Sequence, residues 1–292
     1  MSKLPLAQDR HSYRCVQRLR VRPSDVGAQQ SVAPAQFLSY LEAGVSAYWR
    51  ALALSEGTRK ALVSEALQLR RCELNYALPA RDDELLEVGL RCLSAQGPSL
   101  RMAAAVFRGP DCLAHGELEF QWQGEPARLG EASPQALQAL VQAYESGQSM
   151  TLVRVGSWAE LGAHAQAIRQ SVFVDEQGIA PEMEWDAADM GCVHAVAYNR
   201  LEQALATGRL LEHVPGVAKI GRMAVLPASR GSGVGRQVLD ALLQKARQHG
   251  FREALLHAQL SAEGFYVRAG FQRRGPVFEE AGIGHVEMVR PL

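Results

Sequence analysis

The 292-residue chain carries no excess of either charge, with 31 lysine and arginine side chains against 31 aspartates and glutamates. The balance holds in each half, sixteen of each sign in 1–148 and fifteen in 149–292. Neither half has the basic footprint of a nucleic-acid binder, so nucleic acid is not an expected partner. No apolar run approaches the length of a bilayer span, and the N-terminus lacks the apolar core of a secretory signal. A cytoplasmic location with no membrane contact is therefore expected. The five cysteines, Cys15, Cys72, Cys92, Cys112 and Cys192, are odd in number and form no C-x-x-C pair. Neither a disulfide framework nor a metal site is expected. Cys72 and Cys92 fall in strand-like alternation and read as small buried hydrophobes.

Two nucleotide signatures are also missing. The glycines at 231, 233 and 235 cannot be fitted to Gly-x-Gly-x-x-Gly, and no Gly-Lys-Ser/Thr makes a P-loop. What is present is Arg230-Gly231-Ser232-Gly233-Val234-Gly235, after the apolar run 220–226 and before an amphipathic helix. Apolar residues recur in that helix at Val234, Val238, Leu239, Leu242, Leu243 and Ala246, the spacing of one buried face. A strand feeding a glycine-rich turn at a helix N-terminus suits phosphate, because free N–H groups and the helix dipole both favour anionic oxygens. Taken alone, the hexapeptide also reads as a plain strand-to-helix turn.

Length and composition, 47% hydrophobic and 21% charged, suggest two ordinary globular domains. A break falls in 123–150, where Gln123-Gly124-Glu125-Pro126 ends a strand. Ser133-Pro134 then starts a short helix with Leu137, Leu140, Val141 and Tyr144 on its apolar face. The expected division is a first domain over 1–130, a helical linker over 131–148 and a second domain over 149–292. In the first, a strand at 13–22 and a long helix at 34–52 precede four strand-like runs at 69–78, 84–93, 100–108 and 112–122. In the second, the order is strand from 151, helix 158–172, loop, and strands at 193–199, 204–211 and 219–226. The glycine-loop helix, a strand at 253–258, a helix at 261–269 and a final hairpin follow.

The form Arg-x-x-Gly-x-Gly after Val225-Leu226-Pro227 resembles the pyrophosphate loop of the GNAT superfamily of acetyl-CoA-dependent N-acetyltransferases. The segment from Gln259 through Ala262 and Tyr266 to Gly270-Phe271 resembles a second motif of that family. Residues 172–178, Val-Phe-Val-Asp-Glu-Gln-Gly, with Glu182-Met183-Glu184-Trp185-Asp186 and Gly282-Ile283-Gly284-His285, resemble a subgroup of it. The resemblance implies a mixed sheet flanked by helices, with acetyl-CoA or another acyl-CoA as co-substrate. It implies that residues 230–235 grip the pyrophosphate and that backbone groups near Met223 and Val225, with Gln259, hold pantetheine. Tyr266 would protonate the departing thiolate, or else is a core aromatic. For the general base, Glu182, Glu184, Asp186 and Asp189 crowd one loop; Glu184 ranks first because Trp185 can shield it, and clustering raises a carboxylate's pKa. A solvated acidic loop is the plainer reading, and His194, His257 and His285 are further candidates.

The first half resembles the hotdog fold of the 4-hydroxybenzoyl-CoA thioesterase-like family, an antiparallel sheet around a long helix. Residues 21–25, Val-Arg-Pro-Ser-Asp, and Phe37 to Glu42 carry the likeness. That family places a catalytic aspartate where this chain has Gly27, and often a histidine where it has Ser31. Asp25 matches only a turn aspartate, and His115 reads as a structural or solvent-facing residue. A glycine cannot activate water, so the resemblance implies acyl-CoA binding or a homodimeric scaffold without hydrolysis. The expected function is acyl transfer to a small-molecule amine. An atypical acyl-CoA thioesterase and a non-catalytic acyl-CoA sensor are the alternatives.

Overall fold

The computed structural model describes residues 8–62, 66–96, 99–123 and 133–292, and it divides into two compact units, Met1–Met150 and Thr151–Leu292. Part of the predicted break, residues 124–132, lies outside the described residues.

In the first unit β1 (Cys15–Arg20) is followed by α1 (Gln36–Ala51), the short α2 (Glu56–Ala61), β2 (Leu67–Tyr76), β3 (Leu85–Gln96), β4 (Ser99–Arg108) and β5 (Asp111–Trp122). The five strands form one antiparallel sheet in the order β1-β3-β4-β5-β2. Helix α1 buries Phe37, Tyr40, Leu41, Gly44, Tyr48 and Trp49. A Cβ at Gly44 would stand 2.7 Å from Val88 Cγ1, so the missing side chain lets α1 lie close to β3. One long helix against an antiparallel sheet is the predicted hotdog arrangement.

The helix expected in the linker, α3 (Pro134–Glu145), folds onto this first unit. Ser133 caps it by accepting from Ala136 N–H at 3.1 Å, as its Ser-Pro start predicts. Glu145 Oε1 accepts from Tyr48 O–H at 2.6 Å and from Cys92 N–H at 2.7 Å, and Arg14 donates to the Tyr144 carbonyl. Cys72 departs from expectation. It is exposed, because β2 is an edge strand with most of its residues facing outward, while Cys92 is half-buried.

The second unit runs β6 (Thr151–Gly156), α4 (Trp158–Arg169), α5 (Pro181–Glu184), β7 (Val193–Asn199), β8 (Ala204–Val214) and β9 (Val217–Val225). Then come α6 (Val234–Gln248), β10 (Glu253–Gln259), α7 (Glu263–Arg268), β11 (Gln272–Glu280) and β12 (Ile283–Pro291). The seven strands are ordered β11-β12-β10-β9-β8-β7-β6, and only the β9–β10 pair is parallel. The six residues predicted for the inner face of α6 are its buried ones. Each large aliphatic among them contributes about 1.5–3 kcal/mol of burial, enough to fix the helix against the sheet. Helix α4 ends earlier than predicted, and Gln170–Glu176 continues it with the wider π winding. Among the described residues no helix is long and apolar enough to cross a membrane.

Candidate active site

The central geometric event of the second unit is where β9 and β10 part. Their parallel register covers only Val217–Lys219 against Glu253–Leu255. On its other edge β9 stays paired with β8 as far as Val225, with an irregularity between Gly221 and Ala224. Arg222 sits in that irregularity at φ +53°, a left-handed conformation rare for a side-chain-bearing residue. Beyond Lys219 the β10-facing edge of β9 therefore presents backbone donors and acceptors to a cleft. That cleft has a volume of about 470 Å³; Ile220, Gly221, Arg222 and Met223 line one wall, and His257 and Gln259 the other. Its remaining boundary includes Phe173, Gln177, Glu184, Asp186, Tyr266 and Glu280.

The glycine loop lies between β9 and α6. Gly231 and Gly233 have φ of +76° and +87°, and no heavy atom stands within 4 Å of a Cβ built on either. Gly233 caps α6, whose first-turn N–H groups have no carbonyl one turn back. Ser232 Oγ accepts from Val234 N–H at 3.4 Å and donates to the Ser229 carbonyl at 2.6 Å. An open pair of left-handed glycines at a helix N-terminus fits a pyrophosphate. At Gly235 the missing side chain also serves packing. A Cβ there would stand 3.0 Å from Val225 Cγ2, so it lets α6 pack close to β9.

The structure gives several predicted residues partners that the sequence did not reveal. Arg230 is engaged with Glu176 of the π-wound turn, at 2.8 and 2.6 Å, and its Nε donates to the Val225 carbonyl at 3.2 Å. Met223 lines the cleft, whereas the Val225 carbonyl is committed to Arg230. Gln259 Nε2 donates to Gln177 Oε1 at 3.0 Å. The stretch 172–178 thus supplies three residues that face this region, Phe173, Glu176 and Gln177, and only the motif match pointed to it. Tyr266 is 7% exposed, and burial pushes its phenol up to about 12, so it stays protonated at neutral pH.

The acidic stretch at 182–189 is divided: Glu182 and Asp186 are exposed, as a solvated loop predicts, whereas Glu184 and Asp189 are buried. Glu184 and Asp189 are 3% and 4% exposed and meet a fully buried arginine, Arg169, that sequence reasoning missed. Arg169 Nε donates to Glu184 Oε1 at 2.5 Å and Nη1 to Asp189 Oδ1 at 2.8 Å, and its guanidinium lies over the rings of Trp158 and Trp185. Arg209 bonds both Asp186 and Asp189 at 2.8 Å. Arg222 reaches Glu184 Oε2 and Asp186 Oδ2 at 3.3 Å. Burial pushes the Glu184 carboxyl up, with Arg169 and Arg222 opposing it. Asp186 moves the other way, held down by its bond to Arg209. The expectation that clustering lifts the carboxylates fails for Asp186 and Asp189, because three arginines are interleaved with them. His194 is buried, its Nε2 bonded to the Asp189 carbonyl at 2.9 Å, and burial lowers its pKa.

In the first unit Asp25 closes a turn. Its Oδ2 accepts from Arg22 N–H and from Tyr40 O–H, both at 3.0 Å. Gly27 N–H donates to the Ser31 carbonyl at 3.0 Å within a tight turn. On β5, His115 Nε2 lies 3.1 Å from Gln8 Nε2.

Comparison with known proteins agrees with the geometry of the second unit. The acetyltransferase (GNAT) domain family matches residues 172–292. Bacillus subtilis YyaT is 32% identical over 146 residues, spanning 49% of this chain and 97% of YyaT. The uncharacterized Bacillus subtilis N-acetyltransferase YjcF is 33% identical over 124 residues, 42% of this chain and 87% of YjcF. The chain belongs to the GNAT acetyltransferase family, through its second unit, and is an N-acetyltransferase. Solved structures similar to the hotdog half include a thioesterase from Thermus thermophilus complexed with coenzyme A and Zn. It is 25% identical with a TM-score of 0.40, covering 46% of this chain and 96% of that one.

Proposed function

We propose that the second unit transfers an acetyl group from acetyl-CoA to the nitrogen of a small-molecule amine, and that the first unit is a non-hydrolysing scaffold. The single observation that carries the transfer reading is the parting of β9 from β10, with the open glycine loop at the helix end and Tyr266 on the cleft wall. Pyrophosphate would sit on the N–H groups of Gly231, Gly233, Gly235 and Arg236, and pantetheine would pair with the free edge of β9 near Met223. Attack by a neutral amine forms the C–N bond as the C–S bond breaks. Tyr266, protonated because it is buried, gives its proton to the leaving sulfur and recovers one from the new amide nitrogen.

The scaffold reading of the first unit rests on its turn residues. The Asp25 carboxylate is occupied by the backbone and Tyr40, and Gly27 has no side chain to act on a thioester. We propose further that this unit pairs two chains. Thiol release from acetyl-CoA, followed with and without a panel of primary amines, tests the assignment. Release only with an amine supports transfer, whereas equal release without one supports hydrolysis. Binding without release supports a sensor, and a monomer by light scattering removes the pairing role.

A further inference from the structure

Acetyl transfer to an amine needs a group that takes the ammonium proton, and the acidic residues nearest the cleft are poorly placed for it. Glu184 has one oxygen on Arg169 and the other facing Arg222, and Asp186 is shared between Arg209 and Arg222. Asp186 is thereby a weak proton acceptor, and Glu184, although burial raises it, has both oxygens taken by guanidinium groups and none left to meet an incoming ammonium.

The opposite wall offers a pair without an arginine between its members. His257 lies on the same face of β10 as Gln259, two residues on, and both line the cleft. Its Nδ1 is 3.3 Å from Glu280 Oε2, at the end of β11. The ring is steadied by the edge of Phe278, 4.9 Å between centroids, and Phe278 in turn stacks on His285. On β12 the residue facing His257 is Glu287, whose Oε2 is 3.9 Å from Nε2, beyond hydrogen-bond reach. Glu287 is itself held by Arg274, which also reaches Glu253. Lys219 and His213 also line the cleft, from β9 and β8, and His285 is held by the Ile283 carbonyl at 2.8 Å. Donation from Nδ1 to Glu280 leaves Nε2 as the ring's free lone pair. His257 is thus a cleft histidine backed by a carboxylate able to compensate the charge it would gain.

We propose that His257, oriented by Glu280, takes the proton from the incoming ammonium, and that the amine is delivered across the β10–β12 wall. The inference rests on the transfer reading above. His257 Nε2 receives one proton from the ammonium and later releases it to solvent, while the nitrogen lone pair so freed attacks the thioester carbon. The ligand class is a primary amine that arrives as a cation, with Glu280 as the carboxylate attracting it.

Bromoacetyl-CoA tests this without a known acceptor. It carries an electrophilic carbon where the acetyl methyl would lie, and a nucleophilic nitrogen facing it displaces bromide and stays covalently attached. In the full chain the expected label, located by mass spectrometry, is on His257 and is suppressed by excess CoA. Glu280→Gln should slow labelling at least about fivefold with CoA affinity unchanged, as expected of a positioning residue. His257→Gln should lose the label and keep CoA affinity. A CoA-protected label on His285, Glu184 or any other residue overturns the assignment of His257 and leaves the transfer reading intact. No CoA-protected label anywhere in 151–292 also overturns the assignment of His257, while amine-dependent thiol release tests the transfer reading separately.

Discussion

Arg230 forks onto Glu176, its Nη1 2.8 Å from Oε1 and its Nη2 2.6 Å from Oε2, tying the glycine loop to the π-wound turn after α4. Both members are substantially exposed, so the link is modest in energy. Its use is positional: it holds the mouth of the glycine loop against the segment that supplies Phe173 and Gln177 to the cleft. Arg230→Ala and Glu176→Gln should each weaken CoA binding by at most about fivefold. The double variant should be no weaker than the worse single one, because both remove the same link. Calorimetry decides it. A tenfold loss in Arg230→Ala with Glu176→Gln neutral would make Arg230 a direct phosphate ligand.

Gly233 and Gly235 should fail differently when replaced. Gly233 sits at φ +87° in open space, so Gly233→Val forces a β-branched residue into a conformation costing about 1–2 kcal/mol and fills the proposed phosphate seat. CoA binding should be lost with only a modest fall in melting temperature. Gly235→Val should mainly destabilise, because its Cβ meets Val225 Cγ2 at 3.0 Å and pushes α6 off β9. Undiminished CoA affinity in Gly233→Val would remove the phosphate assignment.

These contrasts mark what the amino-acid pattern could and could not reveal. The inner face of α6, the Ser133 cap and the succession of strands along both units were legible, because periodicity, capping residues and glycine punctuation are local signals. The network around Arg169 was not, since its partners are 15 and 20 residues away and an arginine inside a helix reads as a surface residue. The buried carboxylates at 184 and 189 consequently looked solvated. Glu280 went unnoticed for the same reason: it meets His257 only across a hairpin. Cys72 was misjudged because alternation cannot tell a central strand from an edge.

Asp189 bridges Arg169 and Arg209 at 2.8 Å each, and removing it leaves two buried guanidinium groups short of a counter-charge. Asp189→Ala should destabilise the second unit by about 3–5 kcal/mol in chemical denaturation. Burial pushes this carboxyl up, but the bonds from the two arginines override it and hold it below the usual range. With the folded value depressed, the unfolded chain binds the proton first. The stabilisation is therefore present above about pH 4 and is lost as pH falls through the folded value. Wild-type stability should decline more steeply than that of Asp189→Ala over this acid range. Equal slopes would deny the linkage.

Tyr266→Phe removes only the phenolic hydroxyl from a 7% exposed side chain packed on Phe265 and Phe271. Turnover with a responsive amine should fall about a hundredfold while the acetyl-CoA dissociation constant is unchanged. Equal losses in both would reduce Tyr266 to a packing residue.

Hydrogen–deuterium exchange of the full chain with and without CoA tests the account at its centre, because it reads where the cofactor sits without requiring an acceptor. Slowed exchange is expected in peptides spanning 220–238, where the free edge of β9 and the first-turn N–H groups of α6 would gain partners. Peptides from 15–122 should exchange unchanged. Protection confined to 15–122, with 220–238 unaffected, would contradict the assignment of the CoA site to the second unit.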